Sequence, residues 1–231
     1  MAVAYDNSTD LGNNGGGTGY TASYTMGSVS QGWLEVGFAG DVTGGADDIT
    51  GVTYNGVAMT LKAKNTAITA ERIGYVYVLA NPASGAHNVV ISASSAHYII
   101  ANAKSYSGVD HDEAAVKGNA GSVPGSLATN DTTIDDNCWW TGWAFGFDTL
   151  AAPTAGSGAT RRVWDAAFGG VGGFDSNGVI HPAGSTTFNV NYGSSTSIGS
   201  IMYALSPLTP AAGQVPYDLQ HSPGFQATVA Q

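Results

Sequence analysis

Apolar and polar residues alternate along most of this chain, and the alternation has the period of a strand rather than of a helix. In Trp33-Leu34-Glu35-Val36-Gly37-Phe38, Leu34, Val36 and Phe38 fall on one side and Glu35 on the other, which predicts a strand with Glu35 on its outward, polar face. The stretch from Gly51 to Asp110 is the most regular and predicts five consecutive strands. It opens with a hairpin, Val52 to Thr60, around Asn55-Gly56; this dipeptide favours a type I′ turn because both central residues need positive φ. In that register Tyr54 faces Val57 and Val52 faces Met59, giving the ribbon one apolar face. Arg72 to Leu79 places Ile73, Tyr75, Tyr77 and Leu79 on one face and Val76 and Val78 on the other, so this strand is expected to be covered on both sides. Asn88 to Ser92 and His97 to Ser107 complete the group.

Around this block the pattern is weaker. Ala2 to Tyr5 predicts an edge strand, Asn7 to Gly19 a glycine-rich loop, and Tyr20 to Val29 a weakly alternating strand. Asp41 to Thr50 reads as a connection and Val116 to Asn130 as a second loop-rich passage. The nearest helix candidate, Glu113 to Val116, is too short to stand alone. Cys138 to Phe147 is the most aromatic strand. Trp139, Trp143, Phe145 and Phe147 share one face, and Trp140 lies opposite with Gly142, Ala144 and Gly146, a small-residue face suited to close approach by another layer. Gly156 to Val163 reads as a turn entering a strand, Phe174 to Ile180 as a second hairpin at Asn177-Gly178, and Thr187 to Tyr192 and Ile198 to Leu205 as the last strands. Short strands with frequent turns predict an all-β chain: an antiparallel β-sandwich of jelly-roll or immunoglobulin-like type. Residues 1–205 are expected to form one sandwich domain, without a convincing internal repeat beyond the two Asn-Gly turns. Residues 206–231 hold four of the eight prolines, Pro207, Pro210, Pro216 and Pro223, and are expected to form an extended C-terminal arm. Val215, Tyr217, Leu219, Phe225 and Val229 are its candidate docking points for assembly.

Composition narrows the function. Charged residues make up 10% of the chain, against about 25% in ordinary domains, while 43% apolar residues and five tryptophans argue for a packed core. The net charge is −10 and Arg161-Arg162 is the only adjacent basic pair, so the footprint for nucleic acid is missing. The single cysteine, Cys138, offers no disulfide framework and fits assembly in a reducing cytoplasm. The first residues carry no basic, then apolar, leader pattern, and no run approaches the roughly 20 apolar residues of a membrane span.

Candidate chemistry is sparse. No Gly-x-Ser-x-Gly elbow occurs, and Gly156-Ser157-Gly158 lies in a small-residue turn. His87, His97, His111, His181 and His221 are dispersed. Asp41 with Asp47-Asp48, Asp110-His111-Asp112-Glu113 and Asp135-Asp136 match no calcium-loop spacing. A pair of carboxylates for glycoside hydrolysis would have to come from Glu35, Glu71 and Glu113, of which only Glu35 lies in a clear strand. Trp139, Trp140 and Trp143 fit a core better than a sugar platform, although a glycan stays open as a ligand. The residues thus predict no catalytic set, no cofactor and no metal.

Four segments carry a resemblance. Val3-Ala4-Tyr5-Asp6, the hairpin Gly51 to Thr60, Tyr75 to Val90 and Ser105-Tyr106-Ser107-Gly108-Val109-Asp110 together resemble a family of β-sandwich virion proteins of tailed bacteriophages. The resemblance covers the first half of the chain well and implies a non-enzymatic structural role in the virion. Capsid decoration is the favoured form, with a head-fibre or tail component, or a carbohydrate-binding adhesion module, as alternatives. It implies the major capsid protein or other virion proteins as partners, together with homo-oligomer formation, and assembly in the host bacterial cytoplasm.

Overall fold

The computed structural model describes residues 2–41, 47–69, 72–113, 117–121, 125–133, 135–147, 154–156, 158–165, 170–192 and 197–208. They form four antiparallel sheets. Sheet I is ordered β2 (Gly17–Met26), β8 (Gly85–His97), β4 (Ile49–Tyr54) and β5 (Val57–Ala58). Sheet II is ordered β1 (Ala4–Asn13), β9 (Ile99–Ser107), β3 (Trp33–Asp41), β7 (Arg72–Ala80) and β6 (Thr60–Thr69). Sheet III is ordered β10 (Val109–Asp112), β18 (Ser197–Pro207), β13 (Trp139–Phe147), β16 (Val171–Asp175) and β15 (Thr160–Asp165), with β11 (Lys117–Gly121) also beside β18. Sheet IV holds β12 (Gly125–Thr132), β17 (Ser185–Tyr192) and β14 (Thr154–Ala155).

The sheets stack in that order, because alternate residues of II and III are buried on both faces. Leu34, Val36 and Phe38 meet Tyr24, Tyr54, Val89 and Ile91 between sheets I and II. Val76, Val78, Ile100 and Tyr106 meet Trp139, Trp143, Phe145 and Tyr203 between II and III. Trp140, Ala144, Phe174 and Met202 meet Val190 between III and IV. The all-β antiparallel sandwich is the observed architecture, here two sandwiches back to back. The double-faced reading of Arg72 to Leu79 holds, as does the core placement of Trp139, Trp140 and Trp143.

Several expectations are corrected. Glu35 does not face solvent; its side is the interface between sheets II and III, and it is 0% exposed. The predicted loop Asn7 to Gly19 is mostly strand, since β1 runs to Asn13 and β2 starts at Gly17. The second predicted loop holds β11 and β12. β6 was not anticipated at all. These strands escape the apolar pattern because they lie at the ends of their sheets, where polar side chains are tolerated. Asn55 and Gly56 have φ of 49° and 75°, as the type I′ turn requires, but Val57 is exposed at the hairpin tip. At Asn177-Gly178 only Asn177 has positive φ, and no strand follows to pair with β16. The chain instead rejoins β13, through a bridge from Ile180 to Cys138. Ser206 and Pro207 belong to β18, opposite His111 and Val109, so the strand runs two residues into the predicted arm. The candidate arm residues Val215, Tyr217, Leu219, Phe225 and Val229 lie outside the described residues, as does His221.

Candidate functional site: a sealed polar lock between two sheets

The densest set of chemically capable side chains lies between sheets II and III. Glu35 on β3 and Lys104 on β9 are direct cross-strand partners and both point away from sheet I. Glu35 Oε2 accepts hydrogen bonds from Thr141 Oγ1 at 2.8 Å and Trp143 Nε1 at 2.9 Å, and Oε1 accepts from Tyr203 Oη at 2.5 Å. Lys104 Nζ lies 3.4 Å from Glu35 Oε2 and donates to the carbonyls of Gly142 at 2.9 Å and Phe174 at 2.6 Å. Its charge sits 4.7 Å from the centre of the Trp143 ring. Beside it, Asp175 Oδ2 accepts from Arg162 Nε at 2.7 Å and Tyr106 Oη at 3.2 Å.

Every donor of the ammonium and both oxygens of Glu35 are thus satisfied, which is the condition for a buried ion pair to be tolerated. Burial drives Lys104 below the usual lysine value, and the nearby Glu35 and Asp175 charges pull the other way. Burial first, then the same two carboxylates, raises Tyr106; for Tyr203 burial and Glu35 act together. Both hydroxyls remain protonated donors. Glu35, Lys104 and Asp175 are each 0% exposed, so no substrate reaches them. The set joins two sheets across a low-dielectric seam.

Three other clusters resolve the sequence candidates. At the end of sheets I and II, Asp41 accepts from Arg72 Nε at 2.9 Å, Asp47 from Lys64 Nζ at 2.7 Å and Tyr75 Oη at 2.8 Å, and Asp48 from Ser95 Oγ at 2.5 Å. His97 Nε2 lies 2.8 Å from Ser95 Oγ and 3.2 Å from Asp48 Oδ2, while its Nδ1 bonds the Asp41 carbonyl. A serine, a histidine and an aspartate therefore meet, but the carboxylate sits on the same ring nitrogen as the hydroxyl. In an acyl-transfer triad the acid holds the opposite nitrogen. Ser95 bonding, with His97 behind it, lowers the Asp48 carboxyl below its usual value. These contacts hold Asp47 and Asp48 against β6, β7 and β8.

At the far edge of sheet III, Glu113, Asp135 and Cys138 bring their ligand atoms within 4.8 Å of one another. Cys138 Sγ donates to Glu113 Oε1 at 3.3 Å, and burial pushes the thiol up to about 11. The thiol and the carboxylate thus form a hydrogen-bonded pair. His111 bridges Asp110 and Asp135 at 3.1 and 3.4 Å on the surface. His181 lies 3.8 Å from Asp136, and His87 packs edge-on against Tyr54. Ser157 and Glu71 fall outside the described residues.

Finally, an open groove of about 540 Å³ runs between β6–β7 and β10, lined by the buried Trp33 and Val78, with the exposed Leu61 on the β6 side, Asp110 and His111 on the β10 side, and the Lys62–Asp112 ion pair spanning the two. The lock and the groove were both missed from sequence. The one available signal for the lock was a lone Glu and a lone Lys inside otherwise apolar strands. No helix among the described residues is long and apolar enough to cross a membrane. Comparisons with family models, curated proteins and solved structures return no match for this chain.

Proposed function

We propose that the chain is a non-enzymatic structural protein of a tailed-phage virion, serving as a capsid decoration protein on the head surface. The observation that carries this reading is the placement of Glu35, Lys104, Asp175 and Thr141, the polar set best equipped for chemistry, at 0% exposure between two sheets. There they fasten the two inner sheets, II and III, to each other, which suits a part that bears load. The resemblance of Val3 to Asp6 and of Gly51 to Asp110 to virion sandwiches supports the same setting. Attachment through the segment after Leu208 would bury a modest area many times over a symmetric shell. The test is mass spectrometry and electron microscopy of purified particles. Hundreds of copies on the head are expected; a handful at the tail tip would overturn decoration in favour of a tail part. A chain cut after Leu208 should stay folded and lose virion binding. Unchanged binding would remove the arm from the account.

The groove beside Leu61 favours a second reading, recognition of a host-surface glycan, because its apolar floor and its Asp110 and His111 wall have the mixed character of sugar sites. Glycan-array binding abolished by Leu61→Asp would decide for it.

A further inference from the structure

The two sandwiches have one topology. In the first, the inner sheet is ordered β1-β9-β3-β7-β6 and the outer β2-β8-β4; in the second, β11-β18-β13-β16-β15 and β12-β17-β14. Reading β1 as β11, β2 as β12, β3 as β13, β4 as β14, β6 as β15, β7 as β16, β8 as β17 and β9 as β18 converts one into the other without changing the chain order.

The register agrees as well. Trp33 pairs with Tyr106 and Glu35 with Lys104; Trp139 pairs with Leu205 and Thr141 with Tyr203. A β-bulge falls between Leu61 and Ala63 on β6 and between Arg161 and Val163 on β15, and the extra residue is basic both times, Lys62 and Arg162. Inward residues match inward residues: Ile99 and Ala103 of the first core stand where Ile198 and Met202 stand in the other.

The sequence keeps traces of the same step. Asn81-Pro82-Ala83 precedes Asn88-Val89, and His181-Pro182-Ala183 precedes Asn189-Val190. Val3-Ala4-Tyr5-Asp6 and Val109-Asp110-His111-Asp112 open the two units, and both valines are buried in the central cluster. Val215-Pro216-Tyr217-Asp218 follows in the arm at the same interval, from 3 to 109 and from 109 to 215.

Contacts across sheets II and III are reciprocal. β1 packs on β15 as β11 packs on β6, β9 on β15 as β18 on β6, β9 on β16 as β18 on β7, and β3 on β16 as β13 on β7. Such exchange of i with j is the mark of an isologous, two-fold interface. Equivalent residues touch each other where the axis passes. Thr141 donates to its counterpart Glu35, and a Cβ added at Gly37 would overlap the ring of its counterpart Trp143.

We propose that the chain is a fused pair of one sandwich unit, and that the face of sheet II turned toward sheet III is a homotypic docking surface whose fitting partner is a second unit of the same kind. The equivalent positions have diverged into complementary sets: Gly37 beneath Trp143, Glu35 accepting from Thr141, and Lys104 and Tyr203 both bound to Glu35. Two first units would oppose Glu35 to Glu35, and two second units Trp143 to Trp143. The divergence enforces pairing of first with second. The proposal does not rest on the virion reading.

A reciprocal swap in the full chain tests it. G37W, W143G and the double variant are compared with the parent by urea unfolding. W143G should lower the midpoint, and adding G37W to it should bring the midpoint at least halfway back, because the ring re-enters the same seam from the equivalent position. This reading survives even where G37W alone does not fold. Gly74 and Phe145 serve as the control: a Cβ at Gly74 would lie 2.6 Å from the Phe145 ring, but these positions are not equivalent. G74F should not rescue F145G. A double variant no more stable than W143G, or equal rescue in both swaps, would overturn the proposal.

Discussion

The first sandwich and the second share a strand plan but fill it differently. Eight of the eleven tyrosines precede residue 113, and four of the five tryptophans follow it. In the first core, tyrosine hydroxyls reach past the apolar layer to the rim: Tyr24 to the Asn7 carbonyl at 3.0 Å, Tyr54 to the Gly85 carbonyl at 3.0 Å, Tyr75 to Asp47 at 2.8 Å. These bonds tie edge strands and loops to the core. In the second, Trp140, Phe174 and Met202 pack on Val190. The same topology is thus filled once around tyrosines whose hydroxyls reach the rim and once around Trp140 and Phe174, and the charged lock lies on the seam between them.

The largest effect expected is at that seam. Lys104→Ala leaves Glu35 buried without its cation, and breaking a buried pair in this way costs about 3–5 kcal/mol. An unfolding free energy from urea titration within about 1 kcal/mol of the parent would mean that the lock contributes little. Tyr24→Phe probes the struts. Losing the bonds to Asn7 and to Ser105 Oγ, 2.6 Å away, should cost about 1–2 kcal/mol in thermal unfolding.

Alkaline pH separates the halves by chemistry. Burial raises Tyr20, Tyr24 and Tyr75 above the ordinary phenol value, so the folded state holds these protons more tightly than the unfolded chain. Their contribution is therefore complete below about pH 10 and is lost as pH rises through the raised values. Tyrosinate absorbance should show a cooperative step above pH 10, together with a change in tryptophan emission. Smooth titration of all tyrosines near 10 would contradict the burial. The smallest effect concerns Cys138: with its thiol held near 11 and buried, iodoacetamide at pH 8 should label it slowly in the folded chain and rapidly in urea.

Strands with apolar alternation on at least one face, β3, β7, β13 and β18, were legible from residues alone, and so was the Asn55-Gly56 turn. Strands at sheet ends were not. β1 beyond Tyr5, β6 and β12 are rich in Asn, Ser and Thr, and their pattern is that of a loop until a neighbour supplies the ladder. Glu35 was misplaced for a related reason: period two fixes which residues share a face but not what covers the second face. The repeat was hidden because the equivalent positions at the seam diverged into opposites, Gly against Trp and Glu against Thr. What survived is scattered, in Val3, Val109 and the two Pro-Ala turns.

The central claim is that the shared seam makes two sandwiches one cooperative structure. Equilibrium urea unfolding, followed at once by tryptophan emission for the second sandwich and by hydrogen exchange of peptides from β2 and β8 for the first, tests it most directly. The account predicts coincident midpoints for both probes. Two separated transitions, with one sandwich persisting after the other has opened, would contradict it.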